Sequence, residues 1–247
     1  MNTNIRELIL AGAHFGHRIR FGNPQMAPYI YGTYQNTHII NLDYTLSALQ
    51  KAAGFLKAIS SDDGVVLFLG TKQTSSEIIE EEAKRTGMPY INQRWLGGML
   101  TNFKTTCNSV TKLKDLEESI ASGTLKSLTK KEGLKLISKK ERLMKSIGGV
   151  RDMKKIPDVL FVIDAGWHKS AITEAAKLNI PVVAVVDTNY SPIGIDYPIP
   201  GNDNSRQAVM IYARIMSDAL LAGKEARIAA LKSDLAAASQ DTKDETL

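Results

Sequence analysis

The chain has 247 residues, 43% of them hydrophobic, with 31 Lys/Arg against 26 Asp/Glu and a net charge of +5. That is enough apolar chain for a substantial core, and nothing approaches the ~18 apolar residues that a membrane-spanning helix needs. The lone cysteine, Cys107, excludes an internal disulfide and fits a reducing compartment.

Met1 to Glu7 has neither the basic start and apolar run of a secretory signal nor the Arg- and Ser-rich character of a transit peptide. Action where the chain is made is therefore expected: the cytoplasm, or an organelle matrix if the gene is organellar. Next comes His14-Phe15-Gly16-His17, two imidazoles three residues apart, and then Arg18 and Arg20. His38 to Leu42 reads as a strand leading into a helix over about Thr45 to Ile59. Val65 to Leu69 is a short apolar run without alternation, the pattern of a parallel strand covered on both faces. After Gly70-Thr71-Lys72 a helical pattern runs from Ser75 to Arg85, and Tyr90-Ile91 can add a short strand.

The middle of the chain changes character. Arg94 to Lys155 holds 15 Lys/Arg and 6 Asp/Glu, whereas the remainder holds 16 and 20. One cationic segment on an acidic body suggests a polyanionic partner bound on one side. Within it, Val110, Leu113, Leu116 and Ile120 recur at helical spacing, and Leu134, Ile137, Leu143 and Ile147 do so less regularly. Two amphipathic helices joined near Ser122-Gly123-Thr124 predict an antiparallel hairpin inserted into the sheet domain.

Buried-strand runs resume at Val159 to Ile163 and Val182 to Val186, separated by a helical pattern over His168 to Leu178. Ile195 to Ile199 can close a sheet edge, where Pro198 is tolerated. Asp203 or Asn204 is expected to cap a last helix through about Leu221, with Gly223 as its stop. The alternation predicts an α/β fold, a doubly wound parallel sheet. The expected division is a discontinuous sheet domain (1–101 and 149–223), a helical hairpin (102–148) and a C-terminal helix ending in a disordered tail (224–247).

Signals for chemistry are sparse. Gly70-Thr71-Lys72 lacks the upstream glycine and four-residue spacer of a phosphate loop, and no strand-end turn has dinucleotide-site glycine spacing. No serine sits in an elbow motif. An enzyme or nucleotide-binding protein acting on an anionic ligand stays as the alternative reading, and no catalytic residue is assigned. His17, Asp187 and Asp203 admit a mixed His/carboxylate zinc site; the two aspartates equally admit turns or caps. RNA binding asks for less: cations for phosphates and planar groups for bases. The candidates are Arg18, Arg20, Lys72, Arg94, Asn102, Lys104, Arg151, Lys154 and Lys155, in loops or at element junctions, with Trp95 as either stacker or core anchor.

Several segments together resemble the bacterial-type ribosomal protein S2 family. They are Gly12-Ala13-His14-Phe15-Gly16-His17, His38-Ile39-Ile40-Asn41-Leu42, Gly70-Thr71-Lys72, Asn92-Gln93-Arg94-Trp95-Leu96-Gly97-Gly98-Met99-Leu100-Thr101-Asn102-Phe103, Gly148-Gly149-Val150-Arg151-Asp152-Met153, the Pro157 to Asp164 run, Val186-Asp187-Thr188-Asn189 and Pro200-Gly201-Asn202-Asp203. The resemblance spans about Ile5 to Gly223. It implies a flavodoxin-like sheet with an inserted coiled-coil hairpin and no catalysis. It also implies a structural place in the small ribosomal subunit, between head and body on rRNA, near other subunit proteins and helping to recruit ribosomal protein S1. No homo-oligomer and no membrane is implied. Some members have zinc near the S1 contact, which would fall at His17, Asp187 and Asp203. The sequence departs from the family pattern at Gly22 and Gln25, in the Tyr34 to Thr37 loop and at Gly166 to Lys169.

Overall fold

A computed structural model describes residues 4–122 and 130–244. The chain starts with a short helix, α1 (Ile5–Leu10), and three short strands, β1 (Phe15–Arg18), β2 (Ile30–Tyr34) and β3 (Thr37–Ile40). These strands form their own antiparallel sheet in the order β1-β3-β2. The expected strand at His38 thus exists, but in this small sheet and not the parallel one. Gln35 and Asn36, both at positive φ, make the two-residue turn between β2 and β3. Helix α2 (Leu42–Ser61) starts three residues before the expected position, because the Asn41 side chain accepts the Asp43 N–H and caps it.

Then come β4 (Val66–Leu69), α3 (Gln73–Thr86), β5 (Tyr90–Ile91), α4 (Phe103–Ala121), α5 (Lys130–Ile147), β6 (Val159–Val162), α6 (Lys169–Lys177), β7 (Val182–Val186), β8 (Tyr197–Pro200) and α7 (Arg206–Asp244). The five later strands form a parallel sheet in the order β5-β4-β6-β7-β8. In order of occurrence within that sheet this is 2-1-3-4-5, the flavodoxin-like winding, with its switch point between β4 and β6. Pro198 sits on the edge strand β8, where its missing N–H is tolerated.

Alternate strand residues feed two apolar layers. Val66, Phe68, Val159, Phe161, Val183 and Val185 pack under α2, α3 and α7. Leu67, Leu69, Leu160, Val162, Ala184 and Val186 pack under α6 and the base of α4 and α5. This is why the strand runs show no polar alternation. Helices α4 and α5 lie side by side, with Leu113 and Ile147 buried near the sheet, but Leu134 and Ile137 further out are exposed. The expected apolar stripe is therefore best packed at its base, with Leu116 and Ile120 half-buried further out on α4. The expected linker at Gly123-Thr124 lies outside the described residues.

Two expectations for the last helix are corrected. Its cap is Ser205, whose hydroxyl accepts the Ala208 N–H, and not Asp203 or Asn204. Gly223 does not stop α7, which continues to Asp244. A Cβ there would lie 2.4 Å from the Lys57 carbonyl oxygen of α2, so this glycine serves close helix packing.

Candidate nucleic-acid interface

The basic, Trp-containing stretch is organised by one residue that the sequence did not single out. Glu174 on α6 is buried, and its carboxylate accepts from Trp95 Nε1 (3.0 Å) and from the N–H groups of Gly98 (2.8 Å), Leu100 (3.1 Å) and Thr101 (3.3 Å). The Thr101 hydroxyl also reaches it. Burial would raise this carboxyl's pKa, but the four N–H donors outweigh it and hold it below the usual value. Gly98 has φ +87°, a left-handed conformation that suits glycine. The result is a fixed turn from β5 into α4. Trp95 is a half-buried anchor in it, with Met99 and Leu100 in the core; the Leu96 side chain is exposed, and only its carbonyl takes part, accepting the Met99 N–H. Asn102 precedes α4 and is exposed, and its Oδ1 accepts the Thr105 hydroxyl.

A second cluster closes the end of the sheet where α/β folds usually take ligands. Lys72 follows β4, and its ammonium lies 2.5 Å from Asp164 Oδ2 and 3.2 Å from Asp203 Oδ1, with Asn204 Oδ1 at 3.1 Å. Burial works against the lysine's charge, but the two carboxylates outweigh it and raise its pKa. Lys72 is thus an internal counter-ion, its ammonium held by two carboxylates and the Asn204 amide oxygen. Beside it, His17 Nδ1 lies 2.9 Å from Asp187 Oδ2, and that hydrogen bond raises the imidazole pKa. Asp203 is pushed up to about 7 by burial and by the nearby Asp164 and Asp187. His168 is pushed down to about 4, chiefly by burial; its ring nitrogens face Thr71 Oγ1 and the Asp164 carbonyl.

The three residues proposed for zinc are therefore neighbours, but only His17 and Asp187 pair with each other, Asp203 being paired with Lys72. As arranged they do not fit a metal: His17 is turned onto Asp187, and the Lys72 ammonium sits between Asp164 and Asp203. Among the described residues no group of three or more His, Cys, Asp or Glu is placed to hold one.

The third feature is open. Beside the edge strand β5 lies a groove of about 1160 Å³ lined by Lys84, Lys145, Arg151, Lys154, Lys155 and Lys224. Its acidic lining residues are Asp63, Glu80 and Asp152. Gly148, Gly149, Tyr90, Asn92 and Gln93 also line it. Three of the expected RNA-binding residues, Arg151, Lys154 and Lys155, converge here. Lys84, Lys145 and Lys224 were missed because they belong to three different helices and gave no local signal. Several cations are already paired: Lys84 with Glu80 (2.6 Å), Arg151 with Glu117 (3.1 Å) and Lys155 with Asp158 (2.9 Å). Lys154 is exposed, and neither it nor Lys145 has an ion pair among the described residues. Arg94, next to the groove-lining Gln93, and Lys104 on the first turn of α4 are also exposed. Arg18 and Arg20 lie elsewhere, on and after β1; Arg20 stacks its guanidinium 4.5 Å from the Phe21 ring.

Compared with known protein families, residues 8–223 match the model of the family described as ribosomal protein S2.

Proposed function

The chain belongs to the ribosomal protein S2 family, and from its role as a structural protein of the small ribosomal subunit we propose that it holds small-subunit rRNA through the cationic groove beside β5. The observation that carries this reading is the convergence of six Lys/Arg side chains from α3, α5, the segment before β6 and α7 on one open groove. Phosphates are recognised by such charge without need for sequence-specific contacts. Exposed Arg94 and Lys104 extend the cationic surface towards α4. A site between head and body of the subunit, and help in recruiting ribosomal protein S1, belong to the same reading and rest on the family resemblance.

The test is the double charge reversal Lys145→Glu/Lys154→Glu. Binding of the full chain to small-subunit rRNA is measured against salt concentration. Loss of two phosphate contacts lowers the slope of log K against log salt by roughly 2. An unchanged slope removes the groove from the interface.

A further inference from the structure

The small N-terminal sheet has two unlike faces. Cross-strand pairing places Arg18, Thr37 and Tyr34 in one row and Phe15, Ile39 and Gly32 in the next. Directly paired residues share a face; the irregularity in β1 keeps Phe15 with Arg18 on this one, and Gly32 and Tyr34 share it by ordinary strand alternation. The opposite face carries Ile40, which is buried, and His38, whose Nε2 would meet a Cβ on Gly22 at 2.5 Å. The first face is open. Phe15 and Tyr34 are 45% and 60% exposed, and a Cβ on Gly32 would meet nothing within 4 Å. Two aromatic rings thus flank a floor of Gly32 and half-buried Ile39, roughly 12 Å apart on the diagonal, two strand spacings across and two residues along. The Phe15 ring is braced by His14, centroid to centroid 4.0 Å. From Leu8 to Leu42 the sequence contains no Asp or Glu, while Arg18 and Arg20 stand at the rim.

We propose that this face binds unpaired RNA nucleotides, with bases stacked on Phe15 and Tyr34 and the backbone drawn to Arg18. Exposed rings on a flat sheet with adjacent arginine suit single strands: every base offers a π-face, and the guanidinium answers the phosphate. A duplex hides its base faces and cannot use the rings. The inference rests on the reading that the chain contacts RNA, but it uses residues outside the groove.

Binding of the full chain to a short oligouridylate and to a blunt RNA duplex tests it. Tyr34→Ala is expected to weaken oligouridylate binding by about 5- to 100-fold, the stacking of one base, and to leave the duplex unaffected. Tyr34→Trp should retain the affinity, with its indole emission quenched on binding. Lys145→Glu/Lys154→Glu instead weakens duplex and rRNA binding. If Tyr34→Ala and Phe15→Ala both bind oligouridylate as the parent does, the inference is overturned and the groove reading stands. If the parent chain binds neither RNA, both fail. A photo-cross-linker at position 34 that labels a protein and no RNA in the assembled subunit also overturns it.

Discussion

Glu174→Gln is the sharpest probe of how the α4 junction is built. The carboxylate divides its four N–H donors evenly, Trp95 Nε1 and the Gly98 N–H at Oε1 and the Leu100 and Thr101 N–H groups at Oε2, where the Thr101 hydroxyl is a fifth donor. A glutamine has one oxygen and one NH2, so either orientation turns an NH2 against two N–H donors. Each orphaned donor costs about 1–3 kcal/mol. Trp95 and Gly98 are half-buried and can find water, so glutamine turns its NH2 towards them and the expected loss is about 2–4 kcal/mol. Urea unfolding reads this as a lower midpoint at unchanged m. Amide exchange adds a local readout: Gly98, Leu100 and Thr101 should speed up more than the β6 amides. The sign with pH follows from the lowered carboxyl pKa. The stabilisation is present above the unfolded carboxyl value and is lost as pH falls through the folded one; the variant lacks that component. A change below ~0.5 kcal/mol with unaltered exchange would refute the junction role.

Three further predictions concern the body of the fold. Lys72→Met leaves Asp164 and Asp203 facing each other without their cation, and an expected loss of about 2–4 kcal/mol is checked by thermal unfolding. His168 stays neutral in the folded chain down to about pH 4. Its contribution is therefore intact above the ordinary histidine value of 6.5 and is lost as pH falls towards 4, by about 2–3 kcal/mol; in His168→Asn, melting by circular dichroism should show a shallower fall over that window. Gly223→Ala forces a methyl group against the Lys57 carbonyl and should destabilise by about 1–3 kcal/mol. A neutral or raised melting temperature for Gly223→Ala would mean that α2 and α7 separate easily.

The parallel sheet was legible because both of its faces are covered. Val159 to Ile163 and Val182 to Val186 carry no polar residue that would blur the pattern. The N-terminal sheet was hidden for the opposite reasons. Its strands are mostly exposed or half-buried, both of its pairings shift register, and its turn uses Gln35-Asn36 where Asn-Gly would have announced a hairpin. Gly223 was misread because a glycine after an apolar stretch fits a helix stop as well as a close helix contact, and only the distant Lys57 backbone decides. Glu174 was missed because its donors lie more than seventy positions upstream, |i−j| being 79 for Trp95. The groove was half legible: Arg151, Lys154 and Lys155 are close in sequence, whereas Lys84 and Lys224 reach it only through the fold.

The two ends of this sheet use their charges differently. At the switch point, where a flavodoxin-like fold would open to a ligand, Lys72 is enclosed by Asp164 and Asp203, and His17 by Asp187. Opposite charges there satisfy one another and hold the N-terminal segment to the body, helped by the His17 N–H donating to Thr188 Oγ1. Beside β5 the cations outnumber the acids and face an open groove. Net charge counts both sets alike, which is why Lys72 and Lys154 looked equivalent as phosphate ligands. Their variants separate them. Lys72→Met should lower stability and leave the salt dependence of rRNA binding intact, because a cation already paired inside the protein displaces no counter-ion from RNA. Lys154→Glu should lower the salt slope and leave the melting temperature nearly unchanged, because an exposed lysine without an ion pair contributes little to folding. The opposite pattern would place the RNA-facing charge at the switch point and make the groove beside β5 a structural feature.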